Sequence, residues 1–290
     1  MITHTRKHSR TVTALAAIAA LGVGLAGCGS ANAAAGQTAD SDTNVRTIVA
    51  ITGASPAPFT FKDEQGNLTG QNIELTKAVF DKLPQYKLEW QVADGSAIFG
   101  NLDSGRAQIA VNNYAKNAER EAKYLFSDPL YKDKYVLEVP KNSPITKVDS
   151  LEDLAGKSAL VEATGNVTTA LQNWNKDNPD KTINLKYTAS TSSLVQKLQQ
   201  IEQGVADFAL DDKPIFEYYT KNNNIDIKGL EVGAGVNDSV MKNPYSYLVF
   251  PKGEEQLVKD VNKALAEVIQ DGTSAKIDQE WFGEDLSPEQ

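Results

Sequence analysis

Histidine and cysteine are almost missing from this chain. Its 290 residues hold two histidines, His4 and His8, and one cysteine, Cys28. Beyond residue 28 there is neither, which excludes Cys–His nucleophilic catalysis, imidazole acid–base work and zinc sites built from His or Cys. No loop has the ligand spacing of an EF-hand; carboxylate chemistry and oxygen-ligand metals stay open, and no metal or cofactor is called for. Long apolar runs are missing too. The run Thr11 to Gly24 falls below the roughly 20 residues that a spanning helix needs. Positive charge is in deficit, with 29 Lys and Arg against 38 Asp and Glu. An acidic surface argues against nucleic acid and against charge-driven binding to anionic lipid.

What is present begins with an export signal. Arg6, Lys7 and Arg10 precede the apolar run, and Leu25-Ala26-Gly27-Cys28 closes it. These four residues resemble the lipobox of bacterial lipoproteins, which implies cleavage before Cys28 and a lipid on its sulfur. The plainer alternative is a secretory signal followed by an incidental cysteine. Cleavage would leave 263 residues and take the formal charge from −9 to −12. That length suits one large domain or two lobes of about 100 residues or more. Gly29 to Thr43 lacks aromatic residues and Val, Ile and Leu, so it reads as a flexible tether.

From Val45 strand-like and helix-like patterns alternate, the mark of an α/β fold. Arg46–Ile51 and Lys87–Val92 read as strands, and Phe59–Lys62 with Leu68–Gly70 as a small hairpin. Leu75, Ala78, Val79 and Leu83 share a helix face that ends near Pro84. An internal echo follows. Leu102, Gly105, Ala107 and Ala110 recur as Ile201, Gly204, Ala206 and Ala209, each set reading as helix, glycine stop and buried strand. Leu257, Val261, Ala264, Leu265 and Val268 predict a strong amphipathic helix stopped at Asp271-Gly272. Ile277 and Trp281 mark a short terminal helix, and the acidic tail after Gly283 is expected to fray.

Arginine is scarce: beyond residue 27 there are only Arg46, Arg106 and Arg120. Arg120 follows an apolar strand that ends in Asn112-Asn113-Tyr114, and strand C-terminal ends are where α/β folds place ligands. A planar guanidinium there could bind a carboxylate bidentately. It could equally be a surface Arg paired with Glu119 or Glu121. Asp211-Asp212 also stands at a strand end, suited to an ammonium group or to a solvated turn. Thr164-Gly165-Asn166 precedes a helix-like stretch, whose free N–H groups attract carboxylates or need only ordinary capping.

Several segments in order resemble the extracytoplasmic solute-binding proteins of polar amino-acid ABC importers, family 3. Pro58-Phe59-Thr60-Phe61-Lys62-Asp63-Glu64-Gln65-Gly66-Asn67-Leu68-Thr69-Gly70 is similar to that family's opening block. Leu102-Asp103-Ser104-Gly105-Arg106, Glu119-Arg120 with Phe126-Ser127-Asp128-Pro129-Leu130-Tyr131, and Asp149-Ser150-Leu151-Glu152-Asp153-Leu154-Ala155-Gly156-Lys157 follow. Asp271-Gly272-Thr273 and Trp281-Phe282-Gly283 end the series. The resemblance implies a two-lobe periplasmic-binding-protein fold of type II, with a ligand cleft between the lobes and two crossing segments, near Glu138–Lys141 and Asn243–Leu248. Its divisions would be a signal at 1–27, a tether at 28–44, lobe one at 45–138 with 247–283, lobe two at 139–246, and a tail at 284–290.

By the same resemblance Arg120 would clasp the ligand α-carboxylate, with Thr164, Gly165 and Asn166 as donors from lobe two. Asp212 would take the α-ammonium, helped by Asn112 or Asn113, while Tyr114 and Phe59 would complete the ligand contacts. The implied protein is a monomer anchored through Cys28 to the bacterial membrane, which hands an amino acid to an ABC permease. Several features depart from the family. Pro56 stands where an aromatic residue is common, Asn166 alters the donor loop, and Tyr114 replaces a smaller residue. The polar cleft, with Glu162 and Asp211 and no extra Arg, disfavours a strongly acidic ligand. Asn113-Tyr114 with Asn117-Ala118-Glu119-Arg120 is similar to cystine-binding members, so cystine or a neutral polar amino acid is the expected ligand. Two alternatives remain: a dehydratase of aromatic amino-acid synthesis using Glu162 or Asp211 as general acid, and a sensor that docks to a signalling receptor.

Overall fold

The computed structural model describes residues 45–289 except 164, 190 and 242. The export signal, the tether and Cys28 therefore lie outside the described residues, as does Thr164.

Period-two alternation sets the first sheet. In the strand Arg46–Thr52, Ile48 and Ala50 enter one apolar cluster while Ile51 enters another on the opposite face. Ile109 and Val111 divide from Ala110 in the same way. A sheet apolar on both faces needs cover on both. The order across it is Tyr86–Val92, Arg46–Thr52, Ile109–Tyr114, Tyr245–Pro251 and Tyr124–Phe126, with Tyr131–Lys132 also paired to Tyr245–Pro251. The first three strands run parallel and Tyr245–Pro251 runs antiparallel to its neighbours. The helices Gln71–Phe80, Glu255–Gln270 and Thr273–Phe282 cover one face. The expected stripe Leu257, Val261, Ala264, Leu265 and Val268 is buried.

The second lobe is smaller. Tyr135–Pro140 pairs antiparallel with Ala209–Asp212 on one side and with Ile227–Glu231 on the other. Ser158–Val161 and Asn184–Tyr187 run parallel, joined to the rest through an Ala159–Phe208 bridge. This lobe has its own apolar cluster around Leu137, Val139, Leu171, Phe208 and Leu210. The lobes also touch behind the cleft, where the Phe61 ring of lobe one meets Tyr218 of the helix Lys213–Asn223 at 5.5 Å.

Three expectations are corrected here. The boundary at 138/139 and the crossing at Glu138–Lys141 fall inside Tyr135–Pro140, which is a strand of the second sheet along its whole length. The chain crosses earlier, at Asp133–Lys134, between Tyr131–Lys132 and Tyr135. The return crossing lies between Val240 and Tyr245, so the later part of Asn243–Leu248 is already strand in the first sheet. The tail does not fray after Gly283. Leu286 is buried, its carbonyl accepts from Lys132 N at 2.8 Å, and its own N–H donates to Asp278 Oδ2 at 3.2 Å. Glu284 binds Lys134 at 2.5 Å and also pairs with Lys213.

The opening motif has a structural reason. Asp63 Oδ1 accepts from Gln65 N and Asn67 N, closing the turn between the strands Phe61–Lys62 and Leu68–Thr69. The carbonyls of Pro58 and Phe59 then accept from Gln71 N at 2.9 Å and Asn72 N at 3.0 Å, tying the start of the next helix to the loop. Gly70 makes that approach possible. Its φ is 114°, and a Cβ there would meet Phe59 O at 2.6 Å and Pro58 O at 2.7 Å.

Two carboxyl groups are deeply buried in the lobes. Glu138 is fully buried with neither oxygen partnered among the described residues, and burial raises its pKa to about 8. Asp278, also fully buried, accepts from Gln71 Nε2 at 2.7 Å, and burial raises it to about 7.

Gly70→Ala is expected to cost about 1–3 kcal/mol through forced backbone strain; an unchanged urea midpoint at neutral pH would remove this account. A second prediction concerns pH. Glu138 and Asp278 keep protons in the folded chain that the unfolded chain sheds above about pH 4. The native state therefore binds more protons in that window, and stability falls as pH rises through about 7 to 8. Urea unfolding at pH 5 and pH 9 should show this loss, and Glu138→Gln should make it smaller. A midpoint independent of pH would contradict the assignment.

Candidate functional site

The internal echo is what positions the site. The helix Gly95–Asp103 ends at Gly105 and leads to the strand Ile109–Tyr114; the helix Leu194–Glu202 ends at Gly204 and leads to the strand Ala209–Asp212. Both glycines have φ 70°. Gly105 N bonds to Leu102 O and Arg106 N to Asn101 O, at 3.0 Å each; Gly204 N bonds to Ile201 O and Val205 N to Gln200 O, at 2.9 Å each. This is one helix-stop design used twice. Each strand delivers polar residues at its C-terminal end, Asn112-Asn113 in lobe one and Asp211-Asp212 in lobe two. The two ends meet where Asn113 Nδ2 donates to Asp212 Oδ2 at 3.3 Å.

Around that contact opens a cavity of about 570 Å³, walled by Asn113 and Lys116 from lobe one, Asn166 and Asp212 from lobe two, and Asp133 and Tyr245 from the crossing region. Asp133 and Asp212 line the same cavity with their carboxyl groups within hydrogen-bonding reach of each other. Desolvation raises Asp133 to about 7. Desolvation first, then the Asp133 and Asp211 charges, push Asp212 well above the usual carboxylate range. Two carboxylates in contact in a half-dry cleft cannot both ionise at low cost.

Arg120 lies on the short helix Ala118–Lys123, which starts where Asn117 Oδ1 accepts from Arg120 N at 2.8 Å. Its guanidinium packs 5.5 Å from the Phe99 ring and 5.3 Å from Tyr114, and its Nη1 donates to Ala115 O at 2.9 Å. Glu119, one of its two candidate surface partners, pairs with Lys123 instead. Arg120 is not among the residues lining the cavity; it is held by aromatic faces behind Tyr114 and Ala115. Tyr114 thus serves as a platform for Arg120.

Gly165 and Asn166 stand at the start of the helix Asn166–Asp177. Asn166 lines the main cavity, and both line a smaller pocket beside it with Glu162, Lys197 and Asp211. Asp211 is engaged by Lys197 at 2.6 Å, with Glu162 further off at 3.9 Å. Burial works against the Lys197 charge, yet Asp211, Glu138 and Glu162 hold its pKa above the ordinary value. Asp211 therefore has a counter-charge of its own, whereas Asp212 has the neutral amide of Asn113.

The geometry separates Asn112 from Asn113. Asn112 Nδ2 is committed to Ser55 O at 2.8 Å, and its Oδ1 accepts from Asn113 N, so it braces the strand end while Asn113 faces the cavity. Phe59 is corrected. It is fully buried, stacked on Tyr131 at 5.6 Å and edge-on to Phe282, inside the lobe-one core. Its motif serves the turn into the following helix, not the ligand.

Asp133 and Lys116 are among the cavity residues that the sequence reading does not single out. Asp133 sits in the crossing segment, which was expected five residues later. Lys116 lies over the Tyr247 ring at 4.2 Å and the Phe126 ring at 5.5 Å; no local pattern marks it off from the other lysines.

Against known proteins, residues 48–284 match the model for bacterial extracellular solute-binding proteins, family 3. The L-cystine-binding protein TcyK of Bacillus subtilis (strain 168) is 31% identical over 264 residues, covering 91% of this chain and 92% of that one. Among solved structures, the probable amino-acid ABC transporter extracellular-binding protein ytmK of Bacillus subtilis superposes with a TM-score of 0.73 at 29% identity, over 83% of this chain and 99% of that one. The unliganded, open L-cystine solute receptor of Neisseria gonorrhoeae gives 0.65 at 28% identity, over 85% and 97%. These are proteins of solute binding, not of catalysis, and they leave the dehydratase alternative without support. With its two-lobe fold and a polar cleft at paired strand ends, the chain belongs to the bacterial extracellular solute-binding proteins of family 3.

Proposed function

We propose that this protein captures a polar amino acid, L-cystine before others, in the cleft between its lobes and delivers it to an ABC permease from a lipid anchor on Cys28. The observation that carries this reading is the meeting of Asn113 and Asp212 across the cavity. It sets an acceptor for an ammonium group between two lobes, at the ends of duplicated strands.

A zwitterion leaving water must have both charges answered, since an unpaired buried charge costs several kcal/mol. Asp212 with Asn113 would take the α-ammonium. Arg120, already held by Phe99 and Tyr114, would clasp the α-carboxylate, joined by N–H donors from Thr164, Gly165 and Asn166. Two features favour cystine. Several relatives carry that ligand in their names. The cavity walls also hold Lys116 and Glu121 besides the Asp212 site, which suits a solute with two amino-acid heads.

Thermal-shift screening with the twenty common amino acids and L-cystine tests the reading, because a ligand of the folded state raises stability as its concentration passes Kd. Arg120→Ala should lose about 2–5 kcal/mol of binding while the fold persists; unchanged calorimetric affinity would sink the carboxylate role. Asp212→Asn should weaken amines and spare their deaminated analogues, and equal losses for both would count against the ammonium role. Cys28→Ser should release soluble, unlipidated protein, whereas retention on membranes would require another anchor.

A further inference from the structure

Asp133 has no part in the reading above, yet it occupies the junction of the molecule. It stands in the first crossing segment, and its N–H donates to Pro244 O in the second crossing at 2.6 Å. Its carboxylate accepts from Lys134 N at 2.8 Å, lines the cavity and contacts Asp212. One residue later, Lys134 O accepts from Lys213 N at 2.7 Å, which ties the crossing to the helix that follows Asp212. Main-chain bonds thus hold the two carboxylates together from several elements.

We infer that Asp133 and Asp212 form a two-carboxylate cation site that stores one proton when empty and exchanges it for the ammonium group of the solute. The inference rests on reading the cleft as an amino-acid site, and adds to it a second carboxylate and a proton.

The surrounding charges leave the pair without a resident cation. Lys197, the cation that acts on Asp212 from the helix Leu194–Glu202, is bound to Asp211 at 2.6 Å. Lys134 and Lys213 are both taken by Glu284 of the tail, and Lys213 also faces Glu217 at 3.7 Å. The remaining titratable neighbours are the phenols of Tyr131 and Tyr135, whose pKa values burial pushes up, so they stay neutral. Across the cavity stand Lys116, over its two rings, and Glu121. A proton is therefore what an empty site holds against like-charge repulsion. An entering ammonium carries the same charge with three donors and satisfies both carboxylates. At the carboxylate pair the exchange leaves the charge unchanged, since a proton leaves to solvent as an ammonium enters; the carboxylate of the solute is answered separately, by Arg120.

Two measurements test this. In the ligand-free protein, carbon-13 NMR of the aspartate carboxyl groups should show one of the pair still protonated at pH 6, and Asp133→Asn should lower the titration of Asp212. Both groups ionising in the ordinary carboxylate range would overturn the proposal. If Asp133→Asn does not fold, the wild-type titration decides alone. Calorimetry at pH 6 with L-cystine and the twenty common amino acids, in phosphate and in Bis-Tris, should show about one proton released per solute bound, and progressively less as pH rises past the pair's titration. Affinity should then fall about tenfold per pH unit below the pair's titration, and Asp133→Asn should flatten that slope. Heats independent of buffer, or a release that survives Asp133→Asn, would overturn it. Should no amino acid bind at all, the amino-acid reading falls, and the titration of the empty protein still decides for or against the stored proton.

Discussion

A cleft that binds a charged solute must hold charged groups partly out of water before the solute arrives, and this constraint organises the whole molecule. Each charge near the cavity is answered in a different way. Lys197 and Asp211 pair with each other at 2.6 Å. Arg120 and Lys116 rest on aromatic faces, which favour a cation without neutralising it. Asp133 and Asp212 lean on each other, where desolvation raises both. The groups answered by a true counter-charge are structural. Those answered by rings or by a like neighbour stay available to a solute.

The fold supplies these groups by repetition. One helix–glycine–strand design, used once in each lobe, ends each time in polar residues at a strand C-terminus. The two crossing segments then bring the two ends to 3.3 Å. Because Asp133 is bonded to the second crossing and its neighbour to the helix after Asp212, the carboxylate pair is fixed by main chain from two sides. Side-chain placement at this precision is hard to achieve from loops alone, and here the loops are short and tied.

Much of this was legible in the sequence, for identifiable reasons. The apolar stripe from Leu257 to Val268 and the glycine stops at Gly105 and Gly204 are local signals, and local signals survive folding. The opening motif was legible as a motif but not as a cause. Phe59 reads like a cleft aromatic, and only packing shows it stacked on Tyr131 and Phe282 in the core. The crossing point was misplaced because Tyr135–Pro140 is a good strand by pattern, and no pattern says which of two sheets a strand joins. That error hid Asp133. The tail differs for a similar reason: Glu284 and Leu286 are held chiefly by residues far away in sequence, namely Lys134, Lys213 and Lys132.

The same geometry bears on how binding would favour closure. A ligand shifts a two-state equilibrium only by its differential affinity for the two states. The contact of Phe61 with Tyr218 and the bonds of Glu284 to Lys134 and Lys213 involve no residue that lines the cavity, so they tie the lobes together independently of the cleft. On the proposed reading, a carboxylate clasped by Arg120 and also met by N–H groups at Gly165 and Asn166 receives both sets of donors only when the lobes approach. An ammonium on the carboxylate pair adds little to that difference, because Asp133 and Asp212 already touch in the empty protein. The two ends of an amino acid would then do separate work: the ammonium secures occupancy by replacing a proton, and the carboxylate drives the lobes together.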